Sequence, residues 1–217
     1  MGLIAAAGFA PLSFRQLFNH NLPPYLIVHV HAAIYVGWLF LFMLQTYLAA
    51  SGRIELHKRV GRALVGYGAL MVVVGLAVTW NRYTYMVHAG QIDEARRVNL
   101  APLVDMLAFP IFFGAAIYWR HTPSLHKRLM LVATTILLYP ALVRAGFPTF
   151  LRNYFSFMAI WSSPLWLSMI SDYTRHRAFS FVYPLGIATL FVLSARTAFV
   201  DCAVWTQLTL WLNHFVA

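Results

Sequence analysis

Apolar runs of about twenty residues with few charges, separated by short breaks, dominate this chain and leave it few ways to fold. A transmembrane helix needs about 20 such residues. Backbone groups in lipid must be satisfied internally, so runs of this length are helices. A large barrel would need short alternating strands, and these runs do not alternate. The chain has 217 residues, of which 61% are hydrophobic and only 10% charged. That is too little polar surface to cover a soluble domain, so the bilayer is the expected solvent.

The breaks divide the chain into six predicted spans. These cover residues 25–50, 60–80, 101–119, 129–145, 154–170 and 178–199. Ser51-Gly52-Arg53 closes the first, and Arg120-His121-Thr122-Pro123 closes the third. Residues 81–99 read as the only sizeable loop, and 171–177 as a short one. The expected organisation is all-α: an interfacial segment over 1–23, a six-helix bundle over 24–200 built as three hairpins, and an interfacial helix over 201–217. The start of the chain lacks a basic region before its apolar stretch, so it reads poorly as a secretory signal. It also misses the myristoylation pattern after Gly2.

Net charge is +10. The basic residues sit in short turns and form no continuous stripe, which points to anionic lipid headgroups and away from nucleic acid. With the N-terminus outside, nine of the 16 Lys and Arg fall in inner turns, namely Arg53, Lys58, Arg59, Arg62, Arg120, Lys127, Arg128, Arg175 and Arg177. The positive-inside rule therefore favours that orientation. A single cysteine, Cys202, excludes an internal disulfide and a cysteine metal site.

An internal repeat is present. Leu56-His57-Lys58-Arg59 opens span two, Leu125-His126-Lys127-Arg128 opens span four, and Arg175-His176-Arg177 precedes span six. A haem iron held by two imidazoles needs one His from each of two helices at equal depth. His57 and His126 meet that condition if the repeat is structural, and the neighbouring Lys and Arg could pair with propionates. The competing reading is a set of basic turns anchored at headgroups.

A second group of polar residues lies within the spans. His31, Tyr35, Trp38, Phe42 and Gln45 fall within roughly 40° of one line on a helix, with His29 opposite. His31 and Gln45 stand roughly 21 Å apart along that line, near opposite membrane surfaces. Asp105 is the only acidic residue well inside an apolar span, and a carboxylate there needs a partner. Two readings follow. One is a structural ion pair with Arg144. The other is a polar pocket of His31, Tyr35, Gln45, Asp105, Arg144 and Arg196 that handles protons, a quinone or an anionic headgroup. His31 is also a candidate cofactor ligand.

No phosphate loop, His-Glu-x-x-His or Gly-x-Ser-x-Gly motif occurs. His29 and His31 point apart on a helix and form no chelate. No metal site is expected.

The stretch from His31 through Gln45 to Gly52-Arg53, Leu56-His57-Lys58-Arg59 and Gly61-Arg62 resembles a group of uncharacterised bacterial multi-pass membrane proteins. So do Thr122-Pro123-Ser124-Leu125-His126-Lys127-Arg128-Leu129-Met130 and Asp172-Tyr173-Thr174-Arg175. The resemblance implies the bacterial inner membrane and carries no activity with it. A second likeness, resting on His57, His126 and His176, is to di-haem b-type membrane cytochromes. The chain departs from it, since spans three and five contain no His. Two functions are therefore expected in competition. The first is haem b- or quinone-linked electron transfer. The second is a non-catalytic accessory or assembly subunit of a membrane complex, or a small transporter.

Overall fold

The computed structural model describes Met1, Ile4 and residues 26–144, 153–177 and 179–216. The expected N-terminal interfacial segment over 1–23 lies almost wholly outside the described residues. Among them every regular element is helical and there is no strand.

The apolar run before Ser51-Gly52 forms α1, Leu26–Ala50. It ends where Gly52 takes φ 73°, and Arg53 N–H reaches back to Leu48 O at 2.9 Å. That is the glycine helix stop, which satisfies end carbonyls without a Cβ penalty. α2, Ile54–His88, follows at once. Its 35 residues make it roughly 50 Å long, against a hydrocarbon core of roughly 30 Å. α3 runs Ile92–Tyr118. The sizeable loop expected over 81–99 is therefore corrected. Both helices continue through it, and the only turn is Ala89–Gln91, made by Gly90 at φ 75°.

α1, α2 and α3 are long and apolar enough to cross a membrane. The later apolar segments are less regular. The fourth expected span is broken into α4, Pro123–Ile136, and α5, Tyr139–Arg144. Pro140 has no N–H for the carbonyl of Ile136, and a helix cannot run on past that loss unchanged. Trp161 Nε1 takes the Thr135 carbonyl at 2.8 Å. α6 spans Tyr154–His176 and absorbs most of the expected 171–177 loop. α7 is only Val182–Ala195, followed by a 3-10 turn over Arg196–Phe199 and then α8, Ala203–Asn213.

The helices pack in series. α2 lies between α1 and α3, α3 lies on α4, and α4 is covered by α6 and α7. The 3-10 turn comes back onto α3. Trp38, Met71, Phe109 and Phe113 fill the first half of the core, and Val132, Ile136, Trp161, Leu165 and Leu190 fill the second. Glycines let α2 approach its neighbours, as small residues do in membrane helices. A Cβ on Gly68 would strike the Phe113 ring, and one on Gly75 would strike Tyr35 and Met106.

The overhanging tips of α2 and α3 are not bare. Tyr83 donates to Asn213 Oδ1 at 2.6 Å and to Thr209 O at 3.0 Å. His88 Nε2 contacts Val216 O at 2.9 Å, and Trp205 Nε1 donates to Arg96 O at 3.0 Å. Arg96 pairs with Asp201 at 2.9 Å. α8 thereby closes a small second core around Tyr83, Ala95 and Val216.

Candidate functional site

The repeated Leu-His-Lys-Arg turns occupy equivalent places. Each opens the second helix of a hairpin, and each His reaches back to the helix before it. His57 Nδ1 lies 3.2 Å from the carbonyl of Gln45 on α1. His126 Nδ1 lies 2.8 Å from the carbonyl of Ala116 on α3. A carbonyl only accepts, so the His126 contact calls for a protonated Nδ1 and leaves Nε2 with its lone pair, whereas His57 Nδ1 also faces the Gln45 side-chain amide, which is satisfied with its NH2 turned towards the ring. Neither Nε2 makes a hydrogen bond among the described residues. The two rings come together, with centroids 6.3 Å apart and planes at 83°. α2 and α4 both pack on α3 and are not among the closely packed pairs themselves. The imidazoles of two helices therefore meet edge to face where both helices pack on α3.

The basic neighbours divide. Lys58 is tied to Glu55 at 2.9 Å. Lys127 and Arg128 both hold Asp172, at 2.9 and 2.7 Å, and Tyr183 donates to the same carboxylate at 2.7 Å. Asp172 is 7% exposed and joins α4, α6 and α7. Burial works to raise its carboxyl, but the bonds from Tyr183, Lys127 and Arg128 outweigh that and hold it at about 2. The sequence reading placed Asp172 in a loop and missed it. Its sequence signal was the acidic residue itself, since the chain has only six. Arg59 and Arg62 are exposed and enter no ion pair among the described residues.

The polar residues on α1 turn inward, with Trp38 fully buried and His31, Tyr35, Phe42 and Gln45 half-buried. They do not form one site. Gln45 belongs with His57, and its side-chain amide also reaches the backbone of Gly61. Tyr35 belongs to the other end, where its hydroxyl meets Met71 O and Met106 Sδ, both at 3.1 Å. His31 packs on Tyr35 with ring centroids 4.1 Å apart, and its Nδ1 is buried without a hydrogen bond.

Asp105 takes Arg196 as its ion-pair partner, not Arg144. Arg196 Nη1 donates to Oδ1 and Nη2 to Oδ2, the latter at 3.3 Å. Both side chains are about 95% buried. The guanidinium also lies over the Tyr139 ring, 4.2 Å from its centroid. The pair thus joins α3, the start of α5 and the end of α7. Arg144 is exposed, and its Nη1 donates to Pro140 O at 3.1 Å. The Arg196 Nε and the His31 Nδ1 are buried and make no hydrogen bond among the described residues. The side chain of His176, the third candidate of the basic turns, lies outside the described residues. No group of three or more His, Cys, Asp or Glu that could hold a metal ion occurs among the described residues. Compared with family models, curated proteins and solved structures, the chain matches none.

Proposed function

We propose that this chain is a six-crossing protein of the bacterial inner membrane that carries electrons through a haem b held between His57 and His126. The observation that carries the reading is the meeting of those two rings. Two imidazoles bound on opposite sides of one metal, each at about 2 Å to nitrogen, put their centroids roughly 6 Å apart. The 6.3 Å separation fits that requirement. The His126 tautomer also suits it, because metal-binding imidazoles nearly always donate their other N–H to a carbonyl or carboxylate, as His126 Nδ1 does to Ala116 O. Arg59 and Arg62, two and five residues after His57 and exposed, are cations that could serve propionates as charge-assisted partners.

Six crossings are supported by length. α4 with α5 supplies 20 residues, roughly 30 Å, and α6 rather more. α7 with its 3-10 turn also reaches roughly 30 Å. The ends alternate accordingly. His57, His126 and the Asp172 cluster share one end, while the Ala89–Gln91 turn and α8 share the other. By the positive-inside rule the first end is cytoplasmic. α8 fits an interfacial helix, since Val204, Leu208, Trp211 and Phe215 are exposed along one stripe while Trp205, Thr209 and Val216 face the protein.

When bound, haem supplies a one-electron couple. The chain supplies the rest. His57 and His126 would hold and orient it from two hairpins, and the Ala116 carbonyl would fix the His126 ring proton. The non-catalytic reading, a membrane accessory subunit, is favoured by one observation: the same two Nδ1 contacts would close the hairpins without any cofactor.

The test is a dithionite-reduced minus oxidised spectrum of detergent-purified protein, made with ample haem supply. A b-type signal is expected, lost in His57→Ala and in His126→Ala. A colourless wild-type protein would discard the haem reading and leave the accessory one.

A further inference from the structure

The open side of the α6–α7 hairpin carries an apolar groove of about 450 Å³. Ligand sites run from roughly 300 to 1,000 Å³. Trp166 and Met169 of α6, Phe179 of the link, and Pro184, Ala188 and Phe191 of α7 line it. Its shape follows from the opposite side of α7. Tyr183 is drawn inward by Asp172, and Gly186 seats the helix on Val132 and Leu165, where a Cβ would collide. The outward residues between them are short, Pro184 and Ala188, while Trp166, Phe179 and Phe191 stand exposed around them. The floor is low and the walls are aromatic. Phe191 comes nine residues after Val182, which is roughly 14 Å of helix and about one leaflet of a hydrocarbon core of roughly 30 Å.

The mouth of the groove is cationic. Tyr173 stands seven residues after Trp166 and four after Met169, on the same face of α6. Arg177 ends that helix in the left-handed conformation, at φ 49°, and its guanidinium lies over the Tyr173 ring, 5.6 Å from the centroid. The cation is therefore folded back onto the groove face, at the end of the basic turns. Arg177 enters no ion pair among the described residues. The acidic residues at this end are both taken, Asp172 by Lys127, Arg128 and Tyr183, and Glu55 by Lys58. No carboxylate is left for the ammonium of a zwitterionic headgroup, whereas a guanidinium suits a phosphate. Arg175 stands nine residues after Trp166, roughly 180° round the helix, and points away.

We propose that this groove holds one acyl chain of an anionic glycerophospholipid of the cytoplasmic leaflet, with Arg177 on its phosphate. This rests on the six-crossing topology and not on the histidine pair.

The experiment is native mass spectrometry of the detergent-purified full-length protein. It is titrated with palmitoyl-oleoyl phosphatidylglycerol and, separately, with phosphatidylcholine of the same chains. Wild type is expected to retain one phosphatidylglycerol about fivefold more tightly, the worth of one basic residue against an anionic lipid. Arg177→Gln is expected to abolish that preference and Arg175→Gln to keep it. Ala188→Trp fills the floor and is expected to remove the retained lipid of both kinds. Equal affinities in wild type, equal losses in the two arginine variants, or retention in Ala188→Trp overturn the proposal. So does a lipid-free dimer that Ala188→Trp splits, which would give the groove to a second copy. If Ala188→Trp does not fold, Trp166 decides. Its quenching by phosphatidylglycerol with brominated chains, read as wild type minus Trp166→Phe, is expected to exceed that by brominated phosphatidylcholine, and equal quenching is fatal. The topology is read separately in a Cys202→Ser background. In intact cells an impermeant maleimide is expected to label the exposed position of Gln91→Cys and not that of Ser124→Cys. The reverse fails the topology and the leaflet with it. The expected labelling with equal lipid affinities fails only the groove.

Discussion

Replacing Asp105 by Asn leaves the Arg196 guanidinium charged, buried and without its counterion. Both side chains are about 95% buried, so solvent screening recovers little of the loss. Removing one partner of a buried pair costs about 3–5 kcal/mol. Asparagine keeps one acceptor oxygen for Arg196 Nη1, which puts Asp105→Asn near about 3 kcal/mol and Asp105→Ala near the upper end. The former is roughly a hundredfold in the ratio of folded to unfolded protein. The assay is reversible denaturation in detergent micelles, followed by tryptophan fluorescence. The pair also predicts a rescue. Asp105→Leu combined with Arg196→Met removes both charges, and such replacements are about neutral or stabilising. A single Asn variant within about 0.5 kcal/mol of wild type, or a double variant as unstable as the singles, would refute the reasoning.

The Asp172 cluster gives a pH dependence. Its carboxyl is held at about 2 against 3.8 when free, so its stabilisation is fully present above about pH 4 and is lost as pH falls towards 2. That shift corresponds to about 2 kcal/mol, and Asp172→Asn should flatten the denaturation profile over this window. Gly68→Ala drives a Cβ into Phe113, which is boxed in by Trp38 and Phe109 at ring separations near 5.5 Å, so a loss of about 1–3 kcal/mol is expected in the same assay. Gly66→Ala meets open space and should gain up to about 1 kcal/mol. Equal effects at the two positions would show that close packing is not what Gly68 serves.

Much of the architecture was legible because membrane spans are local signals. The α1–α2 turn is written in Ser51-Gly52, and the pairing of His57 with His126 is foreshadowed by the repeated Leu-His-Lys-Arg. The overhang of α2 was not read, because a polar helix outside the bilayer lacks the apolar run that marks a span. Ala89-Gly90, a glycine stop, was the available clue. The partner of Asp105 was not readable for a different reason. Arg144 and Arg196 both follow a basic turn by about one helix length, and only the break at Leu137-Leu138 with the short α7 decides between them. Gln45 looked like a member of the His31 face because it shares that line, but a shared line on a 25-residue helix does not mean a shared depth.

A helix some 20 Å longer than the hydrocarbon core cannot by itself fix where a protein floats. α2 could ride high or low with little change in its own fit to lipid. In the proposed topology the waterline would be set by α8, riveted to the α2–α3 tips through Tyr83, Arg96 and Trp205, and carrying Trp211 and Phe215 on its open side. It would act as an outrigger, its height being the height of the whole bundle. Shortening it or stripping its aromatic edge should let the protein sink or tilt, and the basic turns at the far end would move relative to the headgroups they meet.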